Sequence, residues 1–173
     1  MGRFAQMAVA AAQLAAENAR LNRSQENPER LGVLLGNGNG DFPTTQENAR
    51  VLFEKGGMRV SPFFIPMILP NMAAGTVSRI LGLRGYTNTV ITACAAGTQA
   101  IGEAAEVIRR GWADVVFSGG TEAGICDLGL AGFCVMRALT SWPGEPQKAS
   151  RPFEANRAGF IPGEGAGVLI LES

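Results

Sequence analysis

The sequence predicts an α/β fold, and three features carry that prediction. A β-branched run from Thr87 to Thr92 gives way, within a few small residues, to a stretch in which Ile101, Ala104, Ala105 and Ile108 recur at helical spacing. Gly111 ends that helix and a second short apolar run, Asp114 to Ser118, follows it. Strand, helix and strand in this order form a right-handed parallel unit. The third feature is composition: 173 residues, 46% hydrophobic and 17% charged, can bury a core and do not describe a disordered chain.

The remaining elements fit the same layering. Gly2 to Leu21 is an alanine-rich amphipathic helix with Phe4, Met7, Ala8, Ala11, Leu14 and Ala15 on one side. After a polar turn around Pro28, Leu31 to Leu35 is a short buried strand that runs into Gly36-Asn-Gly38-Asn-Gly40-Asp41. No Lys-Ser/Thr follows these glycines and the dinucleotide spacing is absent, so they are read as turn requirements rather than a phosphate cradle. Phe42 to Lys55 is a helix closed by Gly56-Gly57. Ser61 to Pro70 carries three prolines among large apolar side chains, so no ordinary element is expected there. Either the fold covers that segment or a partner does. Asn71 is placed as the N-cap of a helix through Leu81, and Asp127 as the cap of a helix from Leu128 to Leu139 that is apolar nearly all round. Gly129 and Gly132 leave that helix dependent on burial, with room for a ligand beside them. A polar loop from Ser141 to Pro162 precedes a last strand, Ala166 to Leu171, with Val168 to Leu171 as its buried part.

Between the β-branched run and the central helix sits one thiol, Cys94, on a turn made of alanines, threonines and Gly97. Such a turn presents its side chain to the positive end of the helix dipole, where free amides lower a thiol pKa and stabilise an oxyanion. The turn alone leaves two readings open, an activated nucleophile or an inert core thiol. Cys126 and Cys134 are read as core thiols. Three cysteines without Cys-x-x-Cys spacing make neither a disulfide framework nor a zinc site and fit a reducing compartment. No segment is long and apolar enough to span a bilayer, and 15 basic residues balance 15 acidic ones, so neither a nucleic-acid nor a membrane partner is expected, and a cytoplasmic location is. The chain contains no histidine.

Val90-Ile-Thr-Ala-Cys94-Ala-Ala-Gly97-Thr resembles the active-site block of the β-ketoacyl-acyl carrier protein synthases, the condensing enzymes of fatty acid and polyketide synthesis. Ser61 to Pro66, Asn71 to Gly75, Ala113 to Glu122, Leu128 to Leu139, Ser150 to Phe153 and Gly163 to Gly167 resemble that family in the same order, over nearly the whole chain. The resemblance implies the N-terminal half of a thiolase-like fold, with a mixed sheet and a buried nucleophile-elbow helix. Residues 1–173 would form one synthase N-terminal domain, incomplete at both ends. It implies Cys94 as the nucleophile that takes an acyl group from a carrier-protein thioester, before a malonyl thioester loses CO₂ and attacks it, with no cofactor and no metal. Its backbone N–H would serve the oxyanion. Phe133, Phe64 and Ile68 match acyl-pocket and channel positions, although periodicity alone favours plain core packing for them by about two to one. Asn39 stands where the family usually carries an apolar residue that sets chain length. Acyl carrier protein, acyl and malonyl thioesters and a second copy of the chain, paired through the strand before Cys94, are the implied partners.

The family polarises the malonyl thioester with two histidines in its other half, and this chain has none. It is therefore expected to be inactive alone, as part of a gene, a truncated protein or a split enzyme. The alternatives are a non-catalytic interaction subunit and the condensing domain of a polyketide synthase. A chain-length factor is disfavoured, since those relatives lack the cysteine. Glu122 is read as a structural, hydrogen-bonded carboxylate rather than a base.

Overall fold

The computed structural model describes residues 1–173, and its architecture is a four-stranded mixed sheet between helices. The sheet order is β2-β1-β3-β4, with β1 at Leu31–Gly36, β2 at Thr87–Val90, β3 at Val115–Glu122 and β4 at Gly165–Glu172. β1 runs parallel to β2 and β3, whereas β4 is antiparallel to β3. The predicted strand-helix-strand unit is thus β2, the helix α5 (Ala96–Arg109) and β3, with β1 inserted between the two strands.

Alternation along β1 and β3 divides the core. Val33, Leu35, Val115 and Phe117 face α1 (Arg3–Asn18) and α4 (Met72–Leu81), together with Phe4, Ala8, Ala12, Ala73 and Val77. Leu34, Val90 and Val116 face Ala100, Ala104 and Val107 of α5 on the opposite side. Every residue of β1 is buried, as a central parallel strand covered on both faces must be. Alanines make up most of the buried faces of α1 and α5.

Several expectations change. The inner stripe of α5 is Ala96, Ala100, Ala104 and Val107, while Ile101, Ala105 and Ile108 are half-buried, so the sheet takes the small residues and leaves larger ones outward. Ser61 to Pro70 holds one regular element after all, the short helix α3 (Phe64–Ile68), with Pro66 inside its first turn where no intrahelical donor is lost. Asn71 has helical backbone angles and no side-chain cap bond. The cap sits elsewhere: Asp41 Oδ1 accepts from Thr44 N–H at 3.0 Å and starts α2 (Phe42–Lys55).

The helix α6 (Asp127–Val135) is shorter than expected and Asp127 lies inside it. Its first turn is held from α2, where Gln46 Oε1 accepts from Leu128 N–H at 2.6 Å. Gly129 is its only buried residue, so its apolar surface is not covered by this chain. A methyl at Gly129 would overlap the Gly124 carbonyl, which makes that glycine a requirement of close packing rather than room for a ligand. Open space lies beside Gly132. Cys134 is exposed and Cys126 half-exposed, so neither is a core thiol. In β4, Val168 and Ile170 pack on the α1 side while Leu169 is 55% exposed. An edge strand buries one face, and the predicted continuous burial of Val168 to Leu171 fails for that reason.

Candidate active site

Three backbones converge where β2 hands over to α5. β2 ends at Val90, and Ala93 takes φ +48°, a left-handed conformation uncommon outside glycine. Two tight bonds close the turn behind it, Ala95 N–H to the Thr92 carbonyl at 3.0 Å and Ala96 N–H to the Ala93 carbonyl at 3.1 Å. Cys94 sits between them and is exposed. The amides of Cys94, Gly97 and Thr98 donate no hydrogen bond within the chain. Those of Gly97 and Thr98 are orphan donors of the helix start, and they carry its positive partial charge beside the thiol.

Glycines make this elbow possible. A methyl at Gly36, the last residue of β1, would overlap the Ala96 carbonyl group. A methyl at Gly120 would stand 3.1 Å from Gly97 Cα. The first turn of α5 therefore rests directly on the ends of β1 and β3, with no side chain between.

The loop after β1 wraps the other side of the turn. Asn37 is buried; its N–H donates to the Val90 carbonyl at 3.2 Å, its Nδ2 to the Thr121 carbonyl at 2.7 Å, and its Oδ1 accepts from Gly40 N–H at 2.7 Å. Gly40 has φ +67°, the positive value expected of a turn glycine. Glu122, at the end of β3, accepts from Gly38 N–H at 2.8 Å and Asn37 Nδ2 at 3.2 Å. Burial pushes the Glu122 carboxyl above the ordinary glutamate range, and amides of Gly38, Asn39 and Ala123 with the Asn37 side chain partly offset it.

The sequence-predicted residues fall around this loop in part. Asn39 is half-buried within it. Ile68, the last residue of α3, is half-buried, and its carbonyl accepts from Asp41 N–H at 3.4 Å, which docks α3 on the loop. Phe64, at the other end of α3, is also half-buried. Phe133, on α6, is half-buried in an edge-to-face contact with Phe160, ring centroids 5.2 Å apart. One cleft lies beside Arg151, Arg157 and Phe160, the ring that Phe133 contacts, and another beside Phe63, Met67 and Arg79. No cluster of His, Cys, Asp or Glu is arranged to hold a metal, and no helix is long and apolar enough to cross a membrane. Sequence reasoning missed the buried Asn37 and the Asp41 cap. Both lie in the glycine-rich loop, although Asp41 just before a helix start with Pro43 in its first turn is an N-cap signal.

Comparison with known proteins places this geometry in context. A family model described as β-ketoacyl synthase, N-terminal domain, matches residues 1–173. The 3-oxoacyl-[acyl-carrier-protein] synthase 2 of Staphylococcus aureus is 45% identical over 173 residues, covering 100% of this chain and 43% of that protein. The synthase 2 of a Synechocystis species is 45% identical over 172 residues, covering 99% and 41%. Among solved structures, a ketosynthase in complex with its type II polyketide acyl-carrier protein matches with a TM-score of 0.89 at 33% identity, covering 99% of this chain and 43% of that one. A β-ketoacyl synthase from Burkholderia phymatum matches with a TM-score of 0.85 at 32% identity, covering 100% and 42%. The chain thus spans less than half the length of these relatives.

Proposed function

The chain belongs to the β-ketoacyl synthase family, whose N-terminal domain model matches residues 1–173, and from that premise we propose that it is the cysteine-bearing half of a condensing enzyme. Cys94 is the acyl acceptor. The observation that carries this is the elbow, an exposed thiol on a left-handed turn with unpaired helix-start amides around it. A thiolate there attacks the carbonyl carbon of a carrier-protein thioester, and the oxyanion that forms meets the Cys94 N–H as a donor; collapse expels the carrier thiol and leaves the acyl group on Cys94. Acyl carrier protein and acyl thioesters are the partners of this step, and the curated relatives support a fatty acid substrate.

The second stage, loss of CO₂ from a malonyl thioester and attack of its carbanion on the acyl-cysteine, needs an acid or dipole to hold the developing enolate. In this family reading the group is imidazole, and the chain has no histidine. Condensation therefore requires residues outside these 173. Phe133, Phe64, Ile68 and Asn39 line the acyl path, and the polar Asn39 narrows the range of chains accepted, since an unpaired amide against an apolar chain costs about 1 to 3 kcal/mol. β2 has β1 on one side only, and its free edge supports a homodimer formed strand to strand.

The test is thiol labelling. Iodoacetamide near neutral pH is expected to modify Cys94 faster than Cys126 and Cys134; equal slow reaction of all three would falsify the nucleophile assignment. Because Cys134 is also exposed, accessibility alone does not produce the expected difference.

A further inference from the structure

The elbow is held in an unfavourable conformation by something other than its own sequence. A non-glycine residue in the left-handed region costs on the order of 1 kcal/mol and persists only where its surroundings enforce it. Two successive loop residues provide those surroundings. Gly36 lies under Ala96, and Asn37 N–H bonds the Val90 carbonyl at the end of β2. The loop is in turn fixed from β3, because Glu122 takes the Gly38 N–H and the Asn37 side chain. An ionised carboxylate is the side chain suited to this, since it accepts at both oxygens and donates nothing.

We propose that Glu122 is a positioning residue for Cys94: its carboxylate clamps the loop from Asn37 to Gly40 against the end of β2, through the Asn37 bond to Val90, and so keeps the thiol and the free amides of the elbow in register. It touches neither thiol nor substrate. The same carboxylate takes the Asn39 backbone amide, so it orders both the nucleophile turn and the segment placed beside the acyl path. This assignment rests on Cys94 being the nucleophile.

The measurement is the ratio of Cys94 to Cys126 alkylation in the same molecules of the 173-residue chain, by peptide mass spectrometry, with thermal melts and amide ¹H–¹⁵N spectra. Glu122→Gln keeps the shape and turns an NH₂ toward the donors. It is expected to lower the ratio roughly tenfold, within the range that small misplacements of reacting groups cost, and to shift the Gly38 amide proton upfield. Gly38→Ala attacks the clamp from the other side, because its methyl would stand 2.8 Å from Glu122 Oε2. It is expected to lower the ratio similarly, and the double variant to be no worse than the poorer single, as two changes to one contact should be. An unchanged ratio in Glu122→Gln, with Cys94 still the fastest thiol, overturns the clamp and leaves the nucleophile assignment standing. A ratio that falls only as the folded transition itself is lost, or effects that add in the double variant, overturns it as well. Equal reactivity of Cys94 and Cys126 in the unsubstituted chain removes the nucleophile assignment and the clamp with it.

Discussion

Single atoms decide the geometry around Cys94. At Gly36 the missing Cβ is what lets β1 end against the Ala96 carbonyl, so Gly36→Ala is expected to cost about 2 kcal/mol or more in urea unfolding, the scale of overpacking a rigid site. A loss below about 0.5 kcal/mol, the size of an ordinary surface change, would show that the elbow can move aside. Glu122 adds a pH signature. Its folded carboxyl titrates above the ordinary value of 4.5, so between those two pH values the folded state holds a proton that the unfolded state has lost. Stability from this group therefore falls as pH rises through that window. Melts of the native chain and Glu122→Gln from pH 4 upward are expected to diverge, with the difference moving in favour of Gln as pH rises; a constant difference rejects the raised titration. The sequence showed Glu122 as a buried-type acid needing partners, but which partners it found depended on a loop more than eighty residues away.

Elements show the same division between pattern and placement. The helices α1, α2, α4 and α5 and all four strands lie close to where periodicity and β-branching put them, because those signals depend on near neighbours. Caps were less legible. α6 begins on Gln46, 82 residues earlier in the chain, and no local rule names a capping side chain from another helix. Gln46→Ala is expected to destabilise the chain by about 1 kcal/mol, the value of a lost cap; fraying of α6 in amide exchange, with the rest protected, is the local check. β2 offers a second test, since its outer edge carries the exposed Thr87. Thr87→Lys puts a charge on that edge and is expected to shift the proposed strand-to-strand dimer toward monomer in sedimentation. An unchanged sedimentation coefficient counts against a dimer formed through β2.

For the molecule as a whole, the surface left by the fold bears on function. Val135 and Met136 at the end of α6, Phe153 beyond it and Leu169 of β4 are all more than half exposed, and exposed apolar side chains of this size are candidates for burial against a partner. The relatives are more than twice as long as this chain. Co-expression with a histidine-bearing C-terminal half from such a relative is expected to restore condensation of acyl and malonyl thioesters and to protect those residues from exchange. Complex formation without turnover favours the interaction-subunit reading.

By itself the sequence determined the α/β class, the order of strands and helices, the synthase resemblance, and the position of the one thiol that sits on a strand-to-helix turn. These follow from side-chain stiffness, periodicity and residue spacing, which act over a few residues at a time. Tertiary structure alone decided that α5 buries alanines and not isoleucines, that Cys126 and Cys134 lie outside the core, that β4 is a half-covered edge, and that Glu122 reaches Gly38. Each of those depends on which distant backbone arrives alongside, and closeness in space between remote residues is set by packing the whole chain, which no local pattern encodes.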